Sequence, residues 1–253
     1  MSDAFRLEGK VAIVTGASRG LGRAMALALA EAGADVAAAA RTTGEIEETA
    51  HLVEKAGRRA LAVRTDVAEY AQVEALVART VDALGRLDII VNNSGIAAVR
   101  PVLEMPPEEF VRIIHVNLIG VFNGCRAAAA RLTSQKSGKV INMASVLGTA
   151  GLAGYSAYAA SKGGVIAFTK ALAVEWARYG VQVNAIAPGW FLTDMNAMAF
   201  ADPKVRERLL RDVPMRRTGE LAEIGPLAVY LASSASSYMT GQTIFLDGGH
   251  TAA

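Results

Sequence analysis

Tyr158 and Lys162 stand four residues apart in "YSAYAASKGGVIAF", at the start of an apolar, helix-like segment. That spacing sets both side chains on one helical face. A phenol alone is a poor acid or base at neutral pH, because its unperturbed pKa is about 10. An ammonium beside it favours the phenolate, so the spacing predicts a lowered pKa. The pair could then give a proton to an oxygen or take one back. Ser145, thirteen residues earlier at the end of an apolar run, could hydrogen-bond the same oxygen as charge develops on it. Plain structural roles stay open beside these: Tyr/Lys pairs are common on helices, and a serine can cap a strand end. Tyr155 is the competing phenol, but Ala159 occupies the position where its lysine would be.

A second group lies near the N-terminus. "TGASRGLG", residues 15–22, follows the apolar run Val11-Ala12-Ile13-Val14 and carries Gly16, Gly20 and Gly22. Glycines at such a position let the backbone turn tightly or approach a ligand closely. The spacing is Gly-x-x-x-Gly-x-Gly, unlike the G-x-G-x-x-G dinucleotide fingerprint. By itself the loop is equally an ordinary strand-to-helix turn.

Both groups need a frame to hold them. Short apolar runs at 10–14, 35–40, 60–64, 88–91, 139–142, 181–186 and 243–246 alternate with helix-periodic segments such as 22–31, 73–84 and 165–178. Strands apolar throughout, separated by helices, predict a parallel sheet covered on both faces. Right-handed crossovers then give a doubly wound α/β sheet of seven strands. The glycine loop falls in its first crossover, where a helix N-terminus can receive a phosphate. No linker-like stretch or long repeat interrupts the 253 residues, so a single domain, 1–253, is expected.

Composition narrows the function classes. The net charge of +2, with basic residues scattered, gives no nucleic-acid footprint. No apolar run in the sequence reaches the roughly 18 residues of a membrane helix, and "MSDAFRLEGK" has no apolar leader core. A lone Cys125 fits a reducing compartment, so a cytoplasmic protein is expected. Cys125, His51, His115 and His250 form no ligand-like spacing, and no metal site is expected. His115 is expected in or near the core, and His51 on a solvated helix face.

Thr15-Gly16-x-x-x-Gly20-x-Gly22, Asn92-Asn93-Ser94-Gly95, Ser145, Tyr158-x-x-x-Lys162 and Pro188-Gly189, in that order, resemble the short-chain dehydrogenase/reductase family. The resemblance runs from Gly9 to Gly249 and implies a Rossmann-like fold. Ser94 departs from the family's usual alanine, a small-for-small change. The resemblance implies metal-free hydride transfer between a nicotinamide cofactor and a carbonyl or alcohol, with Asn117, Ser145, Tyr158 and Lys162 as catalytic residues. Asn117, in "HVNLIG", matches the helix asparagine that helps hold a water relay to the lysine, although a satisfied core amide is its other reading. An oxidised nicotinamide would add its positive charge to the lowering of the Tyr158 pKa. The implied cofactor contacts are Gly16, Ser18, Arg19, Gly20, Leu21, Gly22, Arg41, Asp66, Val67, Asn93, Tyr158, Lys162, Pro188, Gly189 and Thr193. Asp66 and Thr193 could equally be helix N-caps, and Asn92 would brace the sheet.

An acid about 20 residues beyond the glycine motif normally reads the adenosine ribose of NAD. Here Ala40 holds that place and Arg41 follows it, while Asp35 lies at the amino end of the same strand. Arg41 and Arg19 could both pair with a 2′-phosphate, so NADP(H) is preferred, with NAD(H) possible. Substrate would be bordered by 96–102, 146–155 and 190–217, the last a lid with a helical middle at 203–211. Val146, Leu147, Leu152, Trp190, Phe191 and Met195 make mainly apolar walls, and Arg100, Arg216 and Arg217 are candidates to meet an acidic group. A ketone reductase resembling 3-oxoacyl-thioester reductases is the first reading, a sugar or polyol dehydrogenase the second. A non-catalytic NADP(H)-binding regulator is a distant third, since Tyr158 and Lys162 are both present. Helices around 118–132 and 165–178, apolar on more than one face, predict a closed oligomer, and the family suggests a homotetramer.

Overall fold

Runs of small and β-branched residues become strands because they can be buried on both faces of a sheet. The computed structural model describes residues 3–193 and 197–252. Its strands are β1 (Val11–Thr15), β2 (Asp35–Ala40), β3 (Ala60–Arg64), β4 (Ile89–Asn92), β5 (Gly138–Met143), β6 (Val181–Pro188) and β7 (Thr243–Leu246). They form one seven-stranded sheet in the order β3-β2-β1-β4-β5-β6-β7, with every pairing parallel. The chain reverses its direction of travel between β1 and β4. In such sheets the crevice beyond the strand ends at that point is where ligands bind.

The helices are α1 (Gly20–Glu31), α2 (Thr43–Lys55), α3 (Tyr70–Leu84), α4 (Pro107–Ile114), α5 (Gly120–Ser134), α6 (Ser156–Trp176), α7 (Ala197–Ala201), α8 (Pro203–Arg211) and α9 (Ile224–Ala232). Alternate strand residues point to opposite faces. Ala12, Val14, Val36 and Ala38 therefore pack with Met25, Leu29 and Val229 of α1 and α9. Ile13, Ala37 and Ile90 pack with Leu76, Cys125, Leu132 and Val165 of α3, α5 and α6. The alanines of β2 let α1 and α3 approach closely from the two sides.

Several boundaries differ from the sequence reading. β6 runs two residues further, to Pro188, because Ala187 and Pro188 pair with Phe245 and Leu246. α1 begins at Gly20 rather than 22 and α3 at Tyr70 rather than 73, whereas α6 starts at Ser156 and takes in Tyr158 and Lys162 in its first two turns, as expected. A π turn, His115–Ile119, fuses α4 to α5. The resulting helix Pro107–Ser134 is apolar and long enough to cross a membrane by composition, a length the sequence reading did not anticipate. Its buried side is core. His115 is exposed, against the expectation of a core residue. His51 is exposed as expected. Asp35 is buried at the amino end of β2, where the Arg59 guanidinium donates twice to Oδ2, at 2.8 and 2.7 Å, while the Arg59 N–H and Arg58 reach Oδ1 at 3.0 and 3.1 Å. These guanidinium and backbone N–H partners keep its carboxyl below the usual range despite burial. That carboxylate is a brace, far from any ribose.

Candidate active site

The loops that leave the carboxyl ends of β1 to β6 surround one cleft of about 540 Å³. At its β1 end, Gly16 takes φ +64° and Gly20 φ +55°, a left-handed backbone that side chains rarely adopt. Gly22 is required for a different reason. A Cβ there would overlap the Gly16 carbonyl and the Asn93 side chain. Asn93 ties the loop down by donating its Nδ2 to the Thr15 and Gly16 carbonyls, at 2.9 and 3.2 Å. Arg19 is the N-cap of α1 and makes no side-chain cap, so the first N–H groups of the helix face the cleft unclaimed by it. This cradle suits a phosphate: glycine surface, helix N–H groups and arginine lie together.

Next along the rim come Ala40, Arg41, Thr42 and Glu45. Ala40 is where an acid would read a ribose, and Arg41 is exposed with no partner among the described residues. Arg19 reaches Glu45 at 3.7 Å. Glu45 is a group the sequence reading missed, because its place in the first turn of α2 reads as an ordinary helix-start acid. Arg23 fixes that turn, donating to the Glu45 carbonyl at 3.1 Å, to Thr49 at 3.0 Å and to Glu48 at 2.8 Å. Thr65, Asp66 and Val67 continue the wall. Asp66 accepts the Ala68 N–H at 3.0 Å, so its structural role and its place in the cleft coexist.

The other end holds Ser145, Tyr158 and Lys162 together. Ser145 ends the β5 loop, and its Oγ accepts the Leu147 N–H at 3.2 Å. Tyr158 and Lys162 rise from the first two turns of α6. Lys162 Nζ lies 5.6 Å from the Tyr158 ring centroid and donates to the Met143 carbonyl at 2.7 Å. Burial pulls the Lys162 pKa down to about 8. Tyr158 departs from expectation. Burial pushes its phenol up to about 12, outweighing the Ser145 hydroxyl, which pulls it down, while Tyr155 adds to the rise. The resting group is an acid holding its proton. Tyr155 also lines the cleft, edge-on to Tyr158 at 6.4 Å between centroids.

Asn117 differs from the other predicted residues. It is fully buried in the π turn, does not line the cleft, and spends its side chain on neighbours. Its Oδ1 accepts the Ile96 N–H at 2.8 Å, while Nδ2 donates to the Ile96 carbonyl at 2.9 Å and to Ser161 Oγ at 3.0 Å. Gly95 fits between Asn117 and Lys162, its Cβ position lying 3.4 Å from Asn117 Oδ1 and 3.6 Å from Lys162 Nζ. Asn92 donates to Asn142 at 2.9 Å and so braces β4 against β5.

Gly16, Ser18, Arg19, Gly20, Leu21, Gly22, Arg41, Asp66, Val67, Asn93, Pro188, Gly189 and Thr193 all line the cleft. Of the predicted substrate walls, Val146, Leu147, Trp190 and Phe191 line it, Leu152 does not, and Met195 lies outside the described residues. The three arginines offered for an acidic group do not line it either. Arg100 pairs with Glu109 at 2.8 Å, Arg217 grips Glu223 at 2.7 and 2.8 Å, and Arg216 donates to the Arg211 carbonyl.

Known proteins resemble this chain in sequence and in fold. The family profile described as enoyl-(acyl carrier protein) reductase matches residues 16–251. The chain is 43% identical over 247 residues to 3beta-hydroxysteroid dehydrogenase 1 of Eggerthella lenta, covering 97% of this chain and 95% of that one. It is 40% identical over 243 residues to the 3-oxoacyl-[acyl-carrier-protein] reductase of Staphylococcus aureus, covering 95% and 97%. The crystal structure of a gluconate 5-dehydrogenase from Burkholderia cenocepacia J2315, in complex with NADP and tartrate, superposes with a TM-score of 0.95 at 39% identity, covering 99% and 98% of the two chains. The chain belongs to the short-chain dehydrogenase/reductase family. It is an NADP(H)-dependent oxidoreductase: NADP is bound in that structure and in two further solved relatives, and Arg41 beside Ala40 suits its 2′-phosphate.

Proposed function

We propose that the protein interconverts a ketone and a secondary alcohol, with Tyr158 as the general acid and base. The observation that carries this reading is the convergence of Ser145, Tyr158 and Lys162 at one end of the cofactor cleft. NADP(H), when bound, supplies or accepts the hydride. Ser145 and Tyr158 hold the substrate oxygen, Tyr158 delivers its proton there, and the Lys162 ammonium stabilises the phenolate left behind. Asn117 acts as a positioning residue by fixing Ile96 and Ser161, and the family's water relay to Lys162 would pass beside it. Segment 190–217, of which 194–196 lie outside the described residues, serves as the lid. Phe200, Leu210 and Val213 give it a small core of its own with Trp190 packed against it, separate from the two cores of the sheet. Loss of NADPH absorbance on adding ketones tests the activity, and a protein that binds NADPH but reduces no ketone would instead be the regulator.

Reduction needs a protonated Tyr158 and a charged Lys162. Tyr158 holds its proton up to about 12, whereas Lys162 loses its own near about 8. The reduction rate is therefore expected to hold through neutrality and to fall above about pH 8. A kcat–pH profile measures this, and a rate still rising beyond that point contradicts the role given to Lys162.

We further propose a homotetramer in the cytoplasm. Phe122, exposed on α5, stacks edge-on against Phe168 of α6 at 6.3 Å, and Val111 and Val174 are exposed on the same helical layer. An apolar helix face left open in one chain is suited to a second copy. The single, buried Cys125 fits a reducing compartment. Sedimentation at micromolar concentration should give four subunits, and a stable monomer would remove the assembly from the account.

A further inference from the structure

The two ends of the cleft differ in a way that bears on the substrate. Among the described residues, the charged side chains lining it are Arg19, Arg41, Glu45, Asp66 and Lys162. The first four belong to the loops and helix that follow β1, β2 and β3, on the side of the glycine cradle. Lys162 is 3% exposed, beneath Tyr158, with its ammonium on the Met143 carbonyl. Around Ser145 and Tyr158 the walls are instead Ile96, Val99, Val146, Leu147, Trp190 and Phe191. Trp190 Nε1 is buried and unpartnered. Next to Phe191 in the chain, Leu192 is 52% exposed and adds to the apolar surface on that side. Arg100, Arg216 and Arg217 are each engaged elsewhere, as described above.

Resting on the ketone chemistry proposed above, we infer that this site takes a ketone or secondary alcohol with an apolar body and no charged group near the reacting carbon. Reduction turns the ketone into its secondary alcohol as NADPH becomes NADP⁺, the carbon taking the hydride and the oxygen the Tyr158 proton. Ser145 and Tyr158 are committed to that oxygen. Among the described residues, the hydroxyls of Ser94 and Tyr155 are then the polar side-chain groups left on that wall, Asn93 and Thr193 lying against the glycine cradle. A sugar acid would bring a carboxylate and several hydroxyls to this surface. Each group that loses its water without gaining a partner costs about tenfold or more. A fused-ring ketone loses none and covers the apolar walls.

The test compares 2-decalone with 5-oxogluconate as substrates for the NADPH-loaded enzyme, and 2-decalol with gluconate in the presence of NADP⁺. Binding is followed separately by quenching of tryptophan fluorescence in the NADP⁺ complex, since Trp190 lines the cleft. The expected kcat/KM for 2-decalone exceeds that for 5-oxogluconate by at least about a hundredfold, with quenching by the decalin compounds alone. Equal or better turnover of the sugar acid overturns this inference and leaves the ketone chemistry standing. Failure of NADPH and NADH alike to reduce either ketone overturns the ketone chemistry and this inference with it.

Discussion

Replacing Tyr158 by Phe is expected to lower kcat by about a hundred- to ten-thousandfold, the contribution of a positioned acid or base. The change removes one oxygen and keeps the ring over Lys162 and against Tyr155, so the wall and the fold remain. NADPH affinity should stay close to that of the unaltered protein, because the phosphate cradle and Arg41 lie at the other end of the cleft. Fluorescence titration of NADPH beside steady-state kinetics separates the two effects. Tyr155→Phe is the control: it lines the same wall without a lysine four residues on. If Tyr158→Phe retains activity within a factor of about three while Tyr155→Phe loses the full amount, the acid is Tyr155.

The second large effect concerns the cofactor. A guanidinium hydrogen-bonded to a charged partner contributes about 1.5–3 kcal/mol, and each 1.4 kcal/mol is about tenfold in affinity. Arg41→Ala should therefore raise KM for NADPH by roughly ten- to a hundredfold and leave NADH nearly unchanged. Arg41 is exposed, so salt should draw the effect toward the lower figure. Ala40→Asp should reverse the preference, placing a carboxylate where a 2′-phosphate would lie and a ribose hydroxyl could be bound. Glu45 acts in the opposite sense, since its carboxylate shares Arg19 with the incoming phosphate. Glu45→Gln should tighten NADPH by about two- to fivefold, the worth of an exposed ion pair. Kinetics with both cofactors at low and moderate salt decide it. A protein that uses NADH better than NADPH under both conditions would contradict the assignment.

Much of this was legible in the sequence because the signals were local. Seven apolar runs became seven strands, since strands buried on both faces carry their burial in their composition. Residues 203–211 became α8, with Asp202 capping the Lys204 N–H at 2.8 Å and Pro203 in the first turn. Ser145, Tyr158 and Lys162 came together because a strand-end loop and the first turns of one helix are held by the same sheet. What stayed hidden depends on geometry that spacing does not carry. His115, expected in or near the core, lies exposed at the start of the π turn. The i, i+4 lysine suggested a lowered phenol pKa, but burial of Tyr158 dominates and raises it. Glu45 lines the cofactor cleft and meets Arg19 through a tertiary contact, as Arg100 and Arg217 meet their acids.

The proposed reaction moves a hydride from NADPH to a carbonyl carbon with a proton from Tyr158. Chelator-dialysed enzyme should be incubated with a reducible ketone and NADPH carrying deuterium at the transferable position of its nicotinamide. Mass spectrometry of the alcohol then reads the outcome. One deuterium is expected on the carbinol carbon, at the rate that undialysed enzyme shows with the same deuterated cofactor. Alcohol without that deuterium, or activity lost on dialysis and restored by zinc, would contradict it.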